Sequence, residues 1–91
     1  LRNYAMSYAN MGTIQQKMDR FADAEASLNE AIRWGLEYRK RSPQAQALSD
    51  VAVARLALGI TQARSGRPRE ALQNFQAARA DFDEAIRLTP D

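Results

Sequence analysis

Cysteine and histidine are both absent from this 91-residue chain. Their absence excludes zinc sites of the Cys/His kind, thiol nucleophiles, triads with an imidazole base and any disulfide scaffold. It leaves the redox compartment open. Proline occurs only three times and glycine four. No apolar run approaches the ~20 residues that a membrane span needs, and no signal-peptide pattern opens the chain. A strong charge of either sign is missing too. Thirteen bases stand against 11 acids, for a net charge of +2, an excess too small to point to a nucleic-acid partner. The first residue is Leu1 rather than Met, so the expectation is a piece of a longer chain, with the cytoplasm as the default compartment.

What remains favours helix. Seventeen alanines stand out in a composition that is 45% apolar and 26% charged, with Leu, Glu, Gln and Arg beside them. These residues lose little conformational freedom in a helix. The balance fits a folded chain and argues against disorder. At this length about 60–65% of the unfolded surface can be buried, so the expected core is thin.

An internal repeat organises the sequence. Set against itself with an offset of 47, the chain aligns residues 1–44 with 48–91. Nine pairs are identical: Leu1/Leu48, Ala5/Ala52, Gly12/Gly59, Gln15/Gln62, Arg20/Arg67, Ala24/Ala71, Ala31/Ala78, Glu37/Glu84 and Pro43/Pro90. They fall at small residues suited to close helix contacts and at turn positions. Each unit reads as two helices. Tyr4, Tyr8, Met11, Gln15 and Met18 recur at steps of three and four, followed by Phe21, Ala24, Leu28, Ala31 and Gly35. The second unit repeats this with Val51, Arg55, Leu58 and Gln62, then Ala71, Phe75, Ala78, Phe82 and Ala85. That spacing is helical, and no segment alternates with the period of a strand.

The punctuation predicts where the helices meet. Met18-Asp19-Arg20 forms the first turn, where Asp19 is expected to accept bonds from helix-start amides. Ser65-Gly66-Arg67-Pro68 forms the second, with glycine ending one helix and Pro68 opening the next. Ser42-Pro43 is read in the same way, serine as cap and proline just inside a new helix. Thr89-Pro90 then looks like the start of a helix that this chain does not contain. The expected domain is a single array fragment over 1–91, with unit one at 1–42, unit two at 43–89, and a third unit or cap missing.

These residues resemble the tetratricopeptide repeat family, whose pattern sets Leu-Gly between aromatics on a first helix and alanines around an aromatic on a second. The matching positions are Tyr8, Met11-Gly12, Gln15, Ala24, Leu28 and Ala31, then Arg55, Leu58-Gly59, Gln62, Ala71, Phe75 and Ala78. The resemblance spans nearly the whole chain and implies an all-α fold of two tandem antiparallel helical hairpins. Two departures accompany it. Gln15, Arg55 and Gln62 stand where the family has aromatic residues, and the family's usual period is about 34 residues. The extra length lies after Ala31 and before Leu58, so those helices should reach about 20 residues, or ~30 Å. In this the chain is similar to the long-helix arrays of bacterial signalling and regulatory proteins.

The resemblance also implies that the first helices of successive units line a concave, ligand-binding surface. Those positions hold Met6, Ala9, Thr13, Gln16 and Lys17, then Val53, Leu56, Ile60, Ala63 and Arg64. Periodicity alone marks part of the second set. The segment from Pro43 to Ser65 has one apolar stripe at Leu48, Val51, Ala52 and Leu58 and another at Val53, Leu56 and Ile60. A helix apolar on two faces has two things to pack against. The second face is either a groove for a peptide or helix, or a surface consumed by neighbouring helices or by self-association. The family's clamp for C-terminal carboxylates is not expected, since Ala9, Thr13, Val53 and Ala57 occupy its positions and only Asn10 fits.

Other candidates have plainer readings. Arg39-Lys40-Arg41 closes a long helix, where cations favour the dipole. Glu30, Arg33, Glu37 and Arg41 alternate in sign along it. Trp34 reads as a binding anchor or as packing between units. Asp81, Asp83 and Glu84 lie near Arg79 and Arg87, with nothing to raise their pKa values for acid–base work. The expectation is a non-enzymatic interaction module without cofactor or metal, part of a larger bacterial signalling or regulatory protein. Its partner is an unidentified protein or peptide, and its uncapped ends could self-associate. The alternative is a structural or oligomerisation spacer with no groove of its own. A third reading, nucleic-acid contact through Arg39, Lys40 and Arg41, carries less.

Overall fold

The computed structural model describes residues 1–89, which form four helices joined by short turns. They are α1 (Arg2–Lys17), α2 (Phe21–Arg41), α3 (Ala45–Arg64) and α4 (Pro68–Leu88). Each packs against the next in the chain, and α3 also touches α1. The result is two tandem antiparallel hairpins, all-α as expected, with no strand among the described residues. The helices after Ala31 do reach the expected length, at 21, 20 and 21 residues for α2, α3 and α4. Among the described residues, no helix is long and apolar enough to cross a membrane.

The thin core is built mainly from alanine: Ala5, Ala24, Ala31, Ala52, Ala71, Ala78 and Ala85 are all buried. Leu28, Leu48 and Val51 are its largest fully enclosed apolar side chains, and burial of each contributes about 1.5–3 kcal/mol. Small residues let the helices approach, and a large neighbour then fills the gap. A Cβ built on Gly12 would lie 2.6 Å from Leu28 Cγ and 3.3 Å from the Ala24 carbonyl oxygen. One on Gly59 would lie 2.6 Å from Phe75 Cε1 and 3.2 Å from the Ala71 carbonyl oxygen. The same crossing thus occurs in both hairpins, with Leu28 and Phe75 in matching roles.

Polar bonds cross each hairpin between its two helices. Ser27 Oγ donates to Gln15 Oε1 at 2.7 Å, and Asn74 Nδ2 donates to Gln62 Oε1 at 2.7 Å. Arg55 meets Asp81 across α3 and α4 at 2.8 Å, with both side chains mostly shielded. Asp81 is therefore the partner of an α3 cation, and Glu84 pairs with Arg87 on its own helix. Tyr4, Met11 and Met18 depart from the expected packing stripe: they are 59%, 48% and 61% exposed, and α1 buries Ala5 and Gly12 instead. Close approach at Gly12 leaves room only for the small face of α1.

The turns correct two expectations. Asp19 caps no helix; it adopts φ 60, a left-handed conformation, at the end of α1. Its N–H bonds the Gln16 carbonyl, and the Arg20 N–H reaches back to Gln15 at 2.9 Å. Gly66 does the same after α3 with φ 81, where the Arg67 N–H reaches Gln62 at 2.8 Å. Both are Schellman closures, and aspartate is one of the few side chains to tolerate the glycine position. The second correction concerns Ser42 and Pro43, which precede α3 without entering it. Ser42 ends α2, Gln44 is the N-cap, and α3 begins at Ala45. Proline forces its predecessor out of the helical region, so Pro43 acts as a stop for α2. Pro68 does open α4 as expected. The anticipated helix start at Thr89-Pro90 includes Pro90, outside the described residues; the Thr89 hydroxyl donates to the Ala85 carbonyl.

The crossing predicts that Gly59→Leu lowers stability by about 3 kcal/mol, a fall of roughly 12–24 °C in Tm. A thermal melt followed by circular dichroism measures this, and an unchanged melt removes Gly59 from the interface. A second prediction concerns acid. Arg67 binds Glu70, and that hydrogen bond, ahead of their Coulomb attraction, holds the Glu70 carboxyl below its ordinary value of 4.5. A depressed folded pKa contributes stability that is complete above the unfolded value and lost as pH falls through the folded one. Tm should therefore fall with acidification below about pH 4.5, and Glu70→Gln should flatten part of that fall when the two melts are compared across pH.

Candidate partner-binding face

α3 is amphipathic in an unusual sense, with one broad apolar face buried and a second left open. Leu48, Val51, Ala52, Ala54 and Leu58 are sealed against neighbouring helices. On the other side Val53, Leu56 and Ile60 remain 54%, 40% and 39% exposed. Burial of the first set fixes the rotation of α3 and so presents the second. Met6 of α1 is likewise open at 45%. It faces Val53 across a cleft of about 130 Å³ whose walls include Ala9, Asn10, Gly35 and Ala54. Gly35 and Ala31 of α2 line the cleft as well.

The expected site residues divide into two groups. Met6, Ala9 and Val53 line the cleft, and Leu56 and Ile60 continue the apolar stripe along α3. Gln16 and Arg64 instead fasten α1 to α3. The Gln16 amide donates to the Ala57 carbonyl at 3.0 Å and to Thr61 Oγ1 at 2.8 Å. Arg64 donates to the Gln16 carbonyl at 3.1 Å, pairs with Asp19, and lies 5.1 Å over the Phe21 ring. Thr13 turns its hydroxyl to the Ala9 carbonyl of its own helix at 2.9 Å. Lys17 is exposed at the same end. At the other end, Arg2 and Asp50 close the gap between α1 and α3 at 3.1 Å. Polar contacts thus brace both ends of an apolar stretch.

Trp34 packs within the first hairpin and not between the two. Its ring lies 5.3 Å from that of Tyr4, its indole N–H donates to Glu30 at 3.1 Å, and the Arg33 guanidinium sits 4.9 Å over it. The basic cluster behaves as a helix terminus: Arg39, Lys40 and Arg41 are exposed in the last turn of α2, and Lys40 pairs with Glu37. Sequence reasoning missed a broader hollow of about 640 Å³ on the outside of α2, lined by Ile32 and Leu36 and edged by Arg39, Lys40 and Pro43. Its signal was present in Ile32 and Leu36, four apart and one step off the Leu28, Ala31 and Gly35 stripe.

The tetratricopeptide repeat family model matches residues 5–34. That stretch takes in most of α1, the Asp19 turn and the first two-thirds of α2, including the Gly12–Leu28 crossing. No curated protein and no solved structure matches the chain. The second hairpin repeats the crossing, the cross-helix amide bond and the turn of the matched one. The family match thus covers most of the first hairpin, where the chain is similar to that family, and the second hairpin repeats that hairpin's architecture.

Proposed function

We propose that the chain is a protein–protein interaction module that receives a peptide or helix on the face shared by α1 and α3. One observation carries this reading: Val53, Leu56 and Ile60 stay open on a helix whose opposite face is buried. A contiguous exposed apolar stripe rimmed by polar residues is the kind of surface that marks an interaction site. Met6, Val53, Leu56 and Ile60 supply the apolar contact, and Thr13 and Lys17 the polar rim. Gln16 and Arg64 hold the floor in shape and contribute what their remaining polar atoms can reach. The chemistry is binding, with no catalytic step assigned to any residue.

The module is read as two units, 1–42 and 43–89, of a repeat 47 residues long. The recurrence of the Gly12–Leu28 crossing as Gly59–Phe75 supports that division. The long second helices of both units are in keeping with arrays of bacterial signalling and regulatory proteins, where we place the parent protein. The spacer reading is favoured only at the Gln16–Arg64 end, where side chains expected to face a ligand are spent on internal bonds.

The double substitution Leu56→Glu/Ile60→Glu tests the proposal. Both side chains are exposed, so the helical signal should persist and Tm should move by no more than about 5 °C. A partner retained by the wild-type chain in a native-lysate pull-down should be lost. Unfolding of the double variant would make these residues core and put the spacer reading ahead.

A further inference from the structure

The hollow on the outside of α2 is not explained by the hairpin fold. Its floor is Ile32 and Leu36, both half-buried, with Pro43 just past the end of the helix and Arg33, Arg39 and Lys40 on the rim. The second hairpin is in place, packed on α2 through α3, and the hollow stays open beside it. At the equivalent positions of α4 the second hairpin carries Arg79 and Asp83, both exposed. An apolar pair at this place is therefore not a requirement of the hairpin.

Charge singles out the same surface. Residues 29–43 hold four bases and two acids, whereas the rest of the chain is balanced at nine of each. The whole net charge of +2 thus falls on this stretch. The C-terminal end of a helix offsets only about half a unit of it. Arg33 pairs with Glu30 and Lys40 with Glu37, at 3.4 and 3.2 Å on exposed surface, contacts that hold their cations weakly. Arg39 and Arg41 have no carboxylate partner among the described residues. Glu25, further back along α2, is taken by Arg67 across the junction of the hairpins.

We propose that this hollow binds an acidic amphipathic helix of a partner protein, which sets two apolar side chains on Ile32 and Leu36 and carboxylates against Arg39 and Lys40. Ile32 and Leu36 are one turn apart, so a helix laid along α2 meets both with residues three or four apart. Carboxylates on the flank of that helix then fall on the cationic rim, and complementary charge selects which helices are accepted. A lipid surface fits less well. Membrane-bound helices bury a projecting apolar face in the bilayer, and here the apolar pair is a half-buried floor within a rim of exposed cations. The hollow shares no residue with the α1–α3 cleft, and its binding does not depend on that face.

Fluorescence anisotropy with the whole chain tests this. The probes are labelled synthetic helices with paired leucines flanked by glutamates, the leucines three residues apart in one and four in the other. A control carries lysine in place of each glutamate. At low salt at least one glutamate helix should bind, and its lysine control should bind at least about ten-fold more weakly. Ile32→Arg/Leu36→Asp gives α2 the side chains that α4 carries and should weaken binding about ten-fold or more. Leu56→Glu/Ile60→Glu, on the other face, should bind as wild type does. If circular dichroism shows the α2 variant unfolded, Arg39→Gln/Lys40→Gln, at two exposed positions, should give the same loss. Binding of neither glutamate helix overturns the proposal, as does binding that survives the α2 substitutions. Cosedimentation with phosphatidylserine vesicles that Ile32→Arg/Leu36→Asp abolishes would assign the surface to a membrane and overturns it as well.

Discussion

The close approach of helices at two glycines sets the rest of the molecule. At Gly12 and Gly59 the facing carbonyl and side chain stand where a Cβ would have to go. That proximity draws the Leu28 and Phe75 side chains over the crossings and allows a core made mainly of alanine. It also fixes the rotation of each helix about its axis. Once α3 turns Gly59, Val51 and Leu58 inward, Val53, Leu56 and Ile60 have nowhere to point but outward. The open face is thus a consequence of the packing, not an addition to it.

A core built from small side chains buries little area per residue, so stability leans on directional contacts. The Gln15–Ser27 and Gln62–Asn74 bonds and the shielded Arg55–Asp81 pair each join the two helices of a hairpin. Such bonds contribute about 1 kcal/mol each when satisfied. They also specify register, because an amide or carboxylate finds its partner at only one offset. Between the hairpins Arg67, Arg64, Gln16 and Arg2 play the same part. Among the described residues no buried side-chain nitrogen or oxygen lacks a hydrogen-bond partner, which is how so polar a set of contacts can sit beside the core.

Much of this was legible in the residues. Steps of three and four from Ala24 through Leu28 and Ala31 announced a helix and its buried face. The pairing of Gly12 with Gly59 located both crossings, and Gly66 with Pro68 located one turn correctly. The second apolar stripe on α3 was visible as Val53, Leu56 and Ile60. Other features were hidden because they depend on contacts distant in sequence. Asp19 reads as a cap by residue type, but the Schellman closure needs a left-handed residue there and Arg64 takes its carboxylate. Tyr4 and Met11 read as core by hydropathy, yet backbone proximity at Gly12 turns them outward. That Gln16 and Arg64 also join α1 to α3 is not legible from residue type.

The central claim is that α3 buries one apolar face and offers the other. Because the chain has no cysteine, single substitutions to cysteine report each position separately. Thiol-labelling rates should be near those of an unfolded control for Val53→Cys, Leu56→Cys and Ile60→Cys. They should be slower by roughly a hundred-fold or more for Val51→Cys and Leu58→Cys, which are reached only through opening of the packed helices. Equal protection on the two faces would contradict the account.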